Sequence, residues 1–172
     1  MADERIDKII DAWRQASEKF DYFLTGGTGA LAAYVGQRIE PVRLGWNPTT
    51  FEVAALALLG ASLYCGIKRI ETMVEIYRVQ ALTLRAETSS QNFIRAAHTP
   101  GGEFIDSTTG RPTTRDRVHA VGVEQGEVAK VGHQTADSKG KLAVRWYQAR
   151  NATLFLGLAV LVAARILPAY SK

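Results

Sequence analysis

The sequence predicts an all-α integral membrane protein: three transmembrane helices, an N-terminal amphipathic helix, and a long helical cytoplasmic hairpin between the second and third spans. Three observations predict it. Residues 22–37, 53–67 and 151–164 are uncharged and mostly apolar in a 172-residue chain that is otherwise studded with charge. Glycine and alanine recur at helical spacing inside two of these stretches, which suits close helix packing in lipid better than a core in water. Basic residues are distributed unequally across the membrane that these stretches imply.

Residues 1–20 form the first element. Ile6, Ile9, Ile10, Trp13, Ala16 and Phe20 recur at steps of three and four, with charged residues on the other face. That spacing is an amphipathic helix. Its polar face carries acids as well as bases, so it is expected to pack against protein at least as readily as against anionic lipid. The acids ahead of the first apolar stretch, Asp3 to Glu18, argue against a cleaved leader, and the stretch reads as a retained signal-anchor.

A transmembrane hairpin follows over residues 21–67, with spans at about 21–37 and 52–68. Gly26 with Ala30, Gly29 with Ala33, and Ala32 with Gly36 make small-xxx-small pairs. A helix break near Gly26 is allowed by Gly26-Gly27-Thr28-Gly29. No Lys-Ser/Thr follows these glycines, so they are not a phosphate loop. The expected packing residues are Gly26, Gly29, Ala30, Ala33 and Gly36 on the first span and Ala57, Gly60 and Ala61 on the second. Pro41 and Pro48 mark the connector. Thr49 or Thr50 is the expected cap of the second helix, with Glu52 in its first turn.

Beyond Lys68-Arg69, apolar residues continue at helical spacing through Ile70, Val74, Tyr77, Ala81 and Leu84. One helix is therefore expected from about residue 52 into the nineties, far longer than a bilayer core requires. Residues 68–150 are read as a cytoplasmic stalk with its turn at 98–114, where Pro100, Gly101 and Gly102 stop the helix and Phe104-Ile105 suggest a small hairpin. Thr113 or Thr114, followed by Asp116, is expected to open the returning helix. On that helix Val121, Val128 and Leu142 share a weak coiled-coil register interrupted by Thr135. Gly122, Gly126, Gly132 and Gly140 weaken a helix in water, and residues 132–141 are expected to be frayed or kinked.

The third span and a short outer tail occupy residues 151–172. Expected interfacial anchors across the chain are Trp13, Phe20, Trp46, Phe51, Trp146, Tyr147, Arg165 and Tyr170, with Arg165 snorkelling and Pro168 ending the helix. If all three stretches cross, the N-terminal segment and 68–150 share a side carrying 17 Lys or Arg, against 4 on the other side. The positive-inside rule then places the N-terminus and stalk in the cytoplasm of a cell whose inner (plasma) membrane holds the protein. The uncharged runs are shorter than the roughly 20 residues a span wants. A soluble bundle of three buried helices is the competing fold.

Chemistry is sparse. The lone Cys65 reads as a small buried hydrophobe, and one cysteine makes no internal disulfide. His98, His119 and His133 have no i, i+3 or i, i+4 spacing, so no metal site is expected, and no cofactor motif is present. No nucleophile elbow, paired carboxylates or acid–base set marks an enzyme. Scattered charges of both signs do not form a nucleic-acid stripe. The expected partners are the lipid bilayer, further copies of the chain, and a cytoplasmic protein on the 68–150 hairpin. The expected role is a non-enzymatic anchor or scaffold. The alternative is a membrane-permeabilising pore gated by the stalk, with Thr25, Thr28, Ser62 and Gln37 as its few polar candidates.

Overall fold

The computed structural model describes residues 2–39, 47–99, 104–105, 110 and 112–170, with side chains from residue 15 to 166 of that set. Among these residues the fold is helical apart from one two-stranded ribbon: α1 (Ala2–Arg38), α2 (Pro48–His98), β1 (Phe104–Ile105), β2 (Pro112–Thr113) and α3 (Arg115–Tyr170). Two compact units divide it, residues 1–71 with 143–172 and residues 72–142.

Local chemistry sets the helix ends. Asn47, not Thr49 or Thr50, caps α2: its Oδ1 accepts from the Thr50 N–H and the Thr50 hydroxyl, each at 2.9 Å. Pro48 then occupies the first helical position, where its missing N–H costs nothing. Thr114 opens α3, its hydroxyl accepting from the Arg117 N–H at 3.4 Å and its carbonyl from the Val118 N–H at 3.1 Å. α1 runs unbroken through Gly26, and α3 runs unbroken through 132–141 to Tyr170, so neither expected interruption occurs. Pro168 falls near the end of α3, where its missing N–H removes only one bond.

In the first unit three helices lie side by side. Cβ positions at Gly29 and Gly36 of α1 would meet Leu63 and Leu56 of α2, at 3.7 and 3.8 Å. A Cβ at Gly157 of α3 would meet Leu58 at 3.2 Å. These pairs run antiparallel for α1 with α2 and for α2 with α3. The three meet at Gly66, where an added Cβ would stand 2.7 Å from the Thr25 hydroxyl and 3.4 Å from Arg150 Cδ. Only glycine permits that approach.

The second unit is an antiparallel pair formed by the C-terminal part of α2 and the N-terminal part of α3. Buried positions on α2 are Thr72, Ile76, Thr83, Ala86 and Ser90, and on α3 Val118, Gly122 and Ala129. The steps of three, four and seven are those of a coiled-coil seam. Val128 and Leu142 are exposed, so the expected Val121–Val128–Leu142 register is not the packed one. Gly122, Gly126 and Gly132 form the contact instead, whereas Gly140 meets nothing within 4 Å. An added Cβ at Gly132 would sit 2.1 Å from the Thr83 hydroxyl, and the Ser90 hydroxyl donates to the Gly122 carbonyl at 2.7 Å. Close backbone approach offsets their poor helix propensity. At the turn, Phe104 pairs with Thr113 and Ile105 with Pro112 across an antiparallel ribbon, with Gly110 at φ +65°.

Candidate functional site: a buried ionic cluster under an apolar belt

The first unit inverts the usual polarity of a water-soluble core. Ser62 is fully buried, Thr28 and Thr25 are buried or partly so, and Leu59, Val35, Cys65, Ala55 and Ala164 are among the apolar residues buried with them. Most of the large apolar side chains point outward: Phe23 is 74% exposed and Phe155 68%, and Leu156, Val162 and Ile166 are exposed too. Helix carbonyls take the protons of several interior hydroxyls: Thr28 donates to the Leu24 carbonyl at 2.7 Å, and Thr153 to that of Ala149 at 2.8 Å. An exposed apolar face of this extent marks contact with lipid or protein.

Two helices, α2 and α3, are long and apolar enough to cross a membrane. α1 is not one of them. Four glycines, Thr25, Thr28 and Gln37 dilute its apolar residues.

Charge closes both ends of the belt. At one end Asp21 of α1 receives Nη1 of Arg150 from α3 at 2.9 Å and Nη1 of Arg69 from α2. The Arg150 side chain is 1% exposed and Asp21 is buried beside it, while Arg69 is half-buried at the rim of the cluster. The Tyr147 ring lies under both guanidiniums, 4.5 Å from Arg69 and 5.1 Å from Arg150. Its negative face supplies attraction that one carboxylate cannot give two cations. Arg150 Nε also donates to Asn151 at 3.2 Å, and the Ser62 hydroxyl donates to the Arg150 carbonyl at 3.0 Å. Burial pushes the Arg69 guanidinium below its ordinary range; Asp21 pulls it back up, and the neighbouring Arg150 lowers it further. Arginine is not deprotonated in proteins, so two cations meet one carboxylate. The cluster therefore carries a net positive charge.

At the other end Arg165 of α3 pairs with Glu52 of α2 at 3.1 Å, and Arg38 of α1 covers the Tyr34 ring at 4.7 Å. Glu52, expected to act on its own helix terminus, serves this inter-helix pair. Tyr34, Val35, Leu161, Val162 and Ile166 line an open apolar groove beside Arg38 and Arg165. Glu52 and Arg69 stand 17 residues apart on α2. At ~1.5 Å per residue the uncharged belt is roughly 25 Å tall, a little under a bilayer's hydrocarbon core of about 30 Å.

The residues expected from sequence scatter over this frame. Gly29 and Gly36 lie between α1 and α2, whereas Gly26 and Gly60 face open space, and Ala30, Ala33, Ala57 and Ala61 are exposed. Cys65 is buried with its thiol free. Among the expected anchors, Phe20 is exposed and Phe51 half-buried, while Trp146 meets Tyr64 edge-on at 6.2 Å. Tyr147 and Arg165 belong to the two charge layers. Trp46 and the side chains of Trp13 and Tyr170 lie outside the described residues. The Asp21–Arg69–Arg150 cluster was not anticipated. Its signal was present, since one charge borders the same end of each apolar stretch, but nothing in spacing said that the three ends coincide. Comparison with family models, with curated proteins and with solved structures finds no match to the chain.

Proposed function

We propose that the protein is a non-enzymatic, oligomeric membrane anchor of the cytoplasmic (inner) membrane, whose 68–150 hairpin docks a protein partner on the cytoplasmic side. The observation that carries this reading is the inverted polarity of the first unit, with hydroxyls and a salt-bridged cluster inside and phenylalanine and leucine outside. All three apolar stretches cross, α1 by packing its glycines against α2. The Asp21–Arg69–Arg150 layer marks the cytoplasmic interface, which agrees with the excess of Lys and Arg on that side. The Glu52–Arg165 pair marks the other.

Self-association is supported by small residues left uncovered on α1 and α2. Gly26 and Gly60 meet nothing within 4 Å, and exposed alanines share their faces, Ala30 one turn from Gly26, and Ala57 and Ala61 beside Gly60. In lipid such stripes let a second copy approach closely. A protein partner is supported by the hairpin's mixture of surface ion pairs, among them Lys141–Asp137 and His133–Glu87, with exposed apolar side chains such as Leu82, Leu84 and Val131. The pore alternative gains little support. Thr28 and Ser62 are turned into the protomer and bonded there, and the Thr25 hydroxyl is buried against Gly66, which leaves Gln37 as the exposed member of the four polar candidates.

Carbonate extraction of expressing membranes, with reporters fused at the N-terminus and in the 103–110 loop, tests the proposal. Pelleted protein with both reporters cytoplasmic is the expected result. Protein released by carbonate, or monodisperse without any amphiphile, overturns it.

A further inference from the structure

We propose that His98 and His119 form a two-histidine site for a divalent transition-metal ion at the turn of the hairpin. The histidines are 21 residues apart in sequence, on α2 and α3. The antiparallel pairing brings them together, with ring centres 5.7 Å apart and planes inclined at 67°. Two imidazoles sharing one tetrahedral ion, with each nitrogen about 2.0–2.1 Å from it, hold their ring centres roughly 5 Å apart. The observed separation is within a small side-chain rotation of that value, and both residues are exposed and able to make it.

The tautomer of His98 favours ligation. Its Nδ1 lies 2.7 Å from the Ile94 carbonyl oxygen. A carbonyl only accepts, so Nδ1 carries the proton and Nε2 presents its lone pair outward. Histidine ligands are usually held this way, one ring N–H spent on a carbonyl and the other nitrogen left for the metal. Neutral imidazole selects zinc, copper and nickel over the hard cations magnesium and calcium. Among the described residues no third His, Cys, Asp or Glu completes the set. Water fills the remaining positions, and binding is correspondingly moderate and reversible. The ion would tie the last turn of α2 to the second turn of α3 across the 99–114 loop. This inference does not depend on the membrane reading.

Titration calorimetry of the tag-free full chain in detergent with zinc chloride, then copper sulfate, tests it. One ion per chain is expected, with no uptake of magnesium. His98→Ala and His119→Ala should each weaken zinc binding by about tenfold or more, because a chelating pair loses its second contact. His133→Ala, on the far side of several helical turns, should leave it unchanged. Electron paramagnetic resonance of the copper-loaded wild type should show coupling to two imidazole nitrogens, a reading that needs no variant to fold. Equal binding by the wild type and both alanine variants overturns the proposal, as does loss of binding in His133→Ala or a copper spectrum without nitrogen coupling.

Discussion

Replacing Asp21 by alanine should cost far more than replacing Arg69 by alanine, because the cluster holds two cations on one anion. Both guanidiniums reach the same carboxylate oxygen. Without it, two guanidiniums that had met on one oxygen repel each other; for unit charges ~5 Å apart at an effective dielectric of about 20 this is roughly 3 kcal/mol. Removing one partner of a buried ion pair elsewhere costs about 3–5 kcal/mol, the same scale. Arg69→Ala behaves differently. It forfeits a charge-assisted hydrogen bond of about 1.5–3 kcal/mol, but it relieves the arginine–arginine repulsion and leaves a balanced Asp21–Arg150 pair. Its net cost is about 1 kcal/mol or less. Thermal unfolding in nanodiscs, followed by circular dichroism, measures both. Asp21→Ala should lower the midpoint by on the order of 10 °C, and Arg69→Ala by a few degrees at most. Asp21→Asn, which keeps the size but not the charge, should resemble the alanine variant. If Asp21→Ala proves no more damaging than Arg69→Ala, the electrostatic account of the cluster is wrong.

Gly132→Val places a branched side chain where even a Cβ would strike Thr83. Overpacking of this kind costs about 1–3 kcal/mol and should raise amide hydrogen exchange across 72–142, while exchange in the first unit stays unchanged. Gly26→Leu and Gly60→Leu fill open space within a protomer. They should reduce particle mass by light scattering in detergent and leave the melting temperature of the protomer unaltered. Gly29→Leu, which meets Leu63, should lower that temperature as well. Unchanged mass in all three variants would remove the small-residue stripes from the account of self-association.

The helical architecture was legible because charge patterning is a local property. Uncharged runs, Pro48, and Pro100 with Gly101-Gly102 are each read within a few residues, and the long helices end close to them. What was hidden depends on which faces meet. Asn47 was passed over as a cap because two threonines followed it, although Asn before Pro combines a side-chain acceptor with a favoured first helical residue. Apolar spacing puts Val128 and Leu142 on the seam. The structure instead packs Gly122, Ala129 and Gly132 there beside Val118, where the α3 backbone comes close to α2. The ionic cluster and the His98–His119 pair escaped for one common reason. Each joins residues from different helices, and spacing along a single helix is blind to them.

The order in which the chain is made gives the cluster a further meaning. Asp21 and Arg69 leave the ribosome before Arg150 exists, and together they carry no net charge. The first two helices can thus settle as a neutral pair, with the Gly66 notch beside Thr25 still open. Arg150 arrives last, and its guanidinium finds shelter only against that finished pair. The last helix is therefore conditional on the first, because without Asp21 the buried Arg150 guanidinium has no carboxylate to meet.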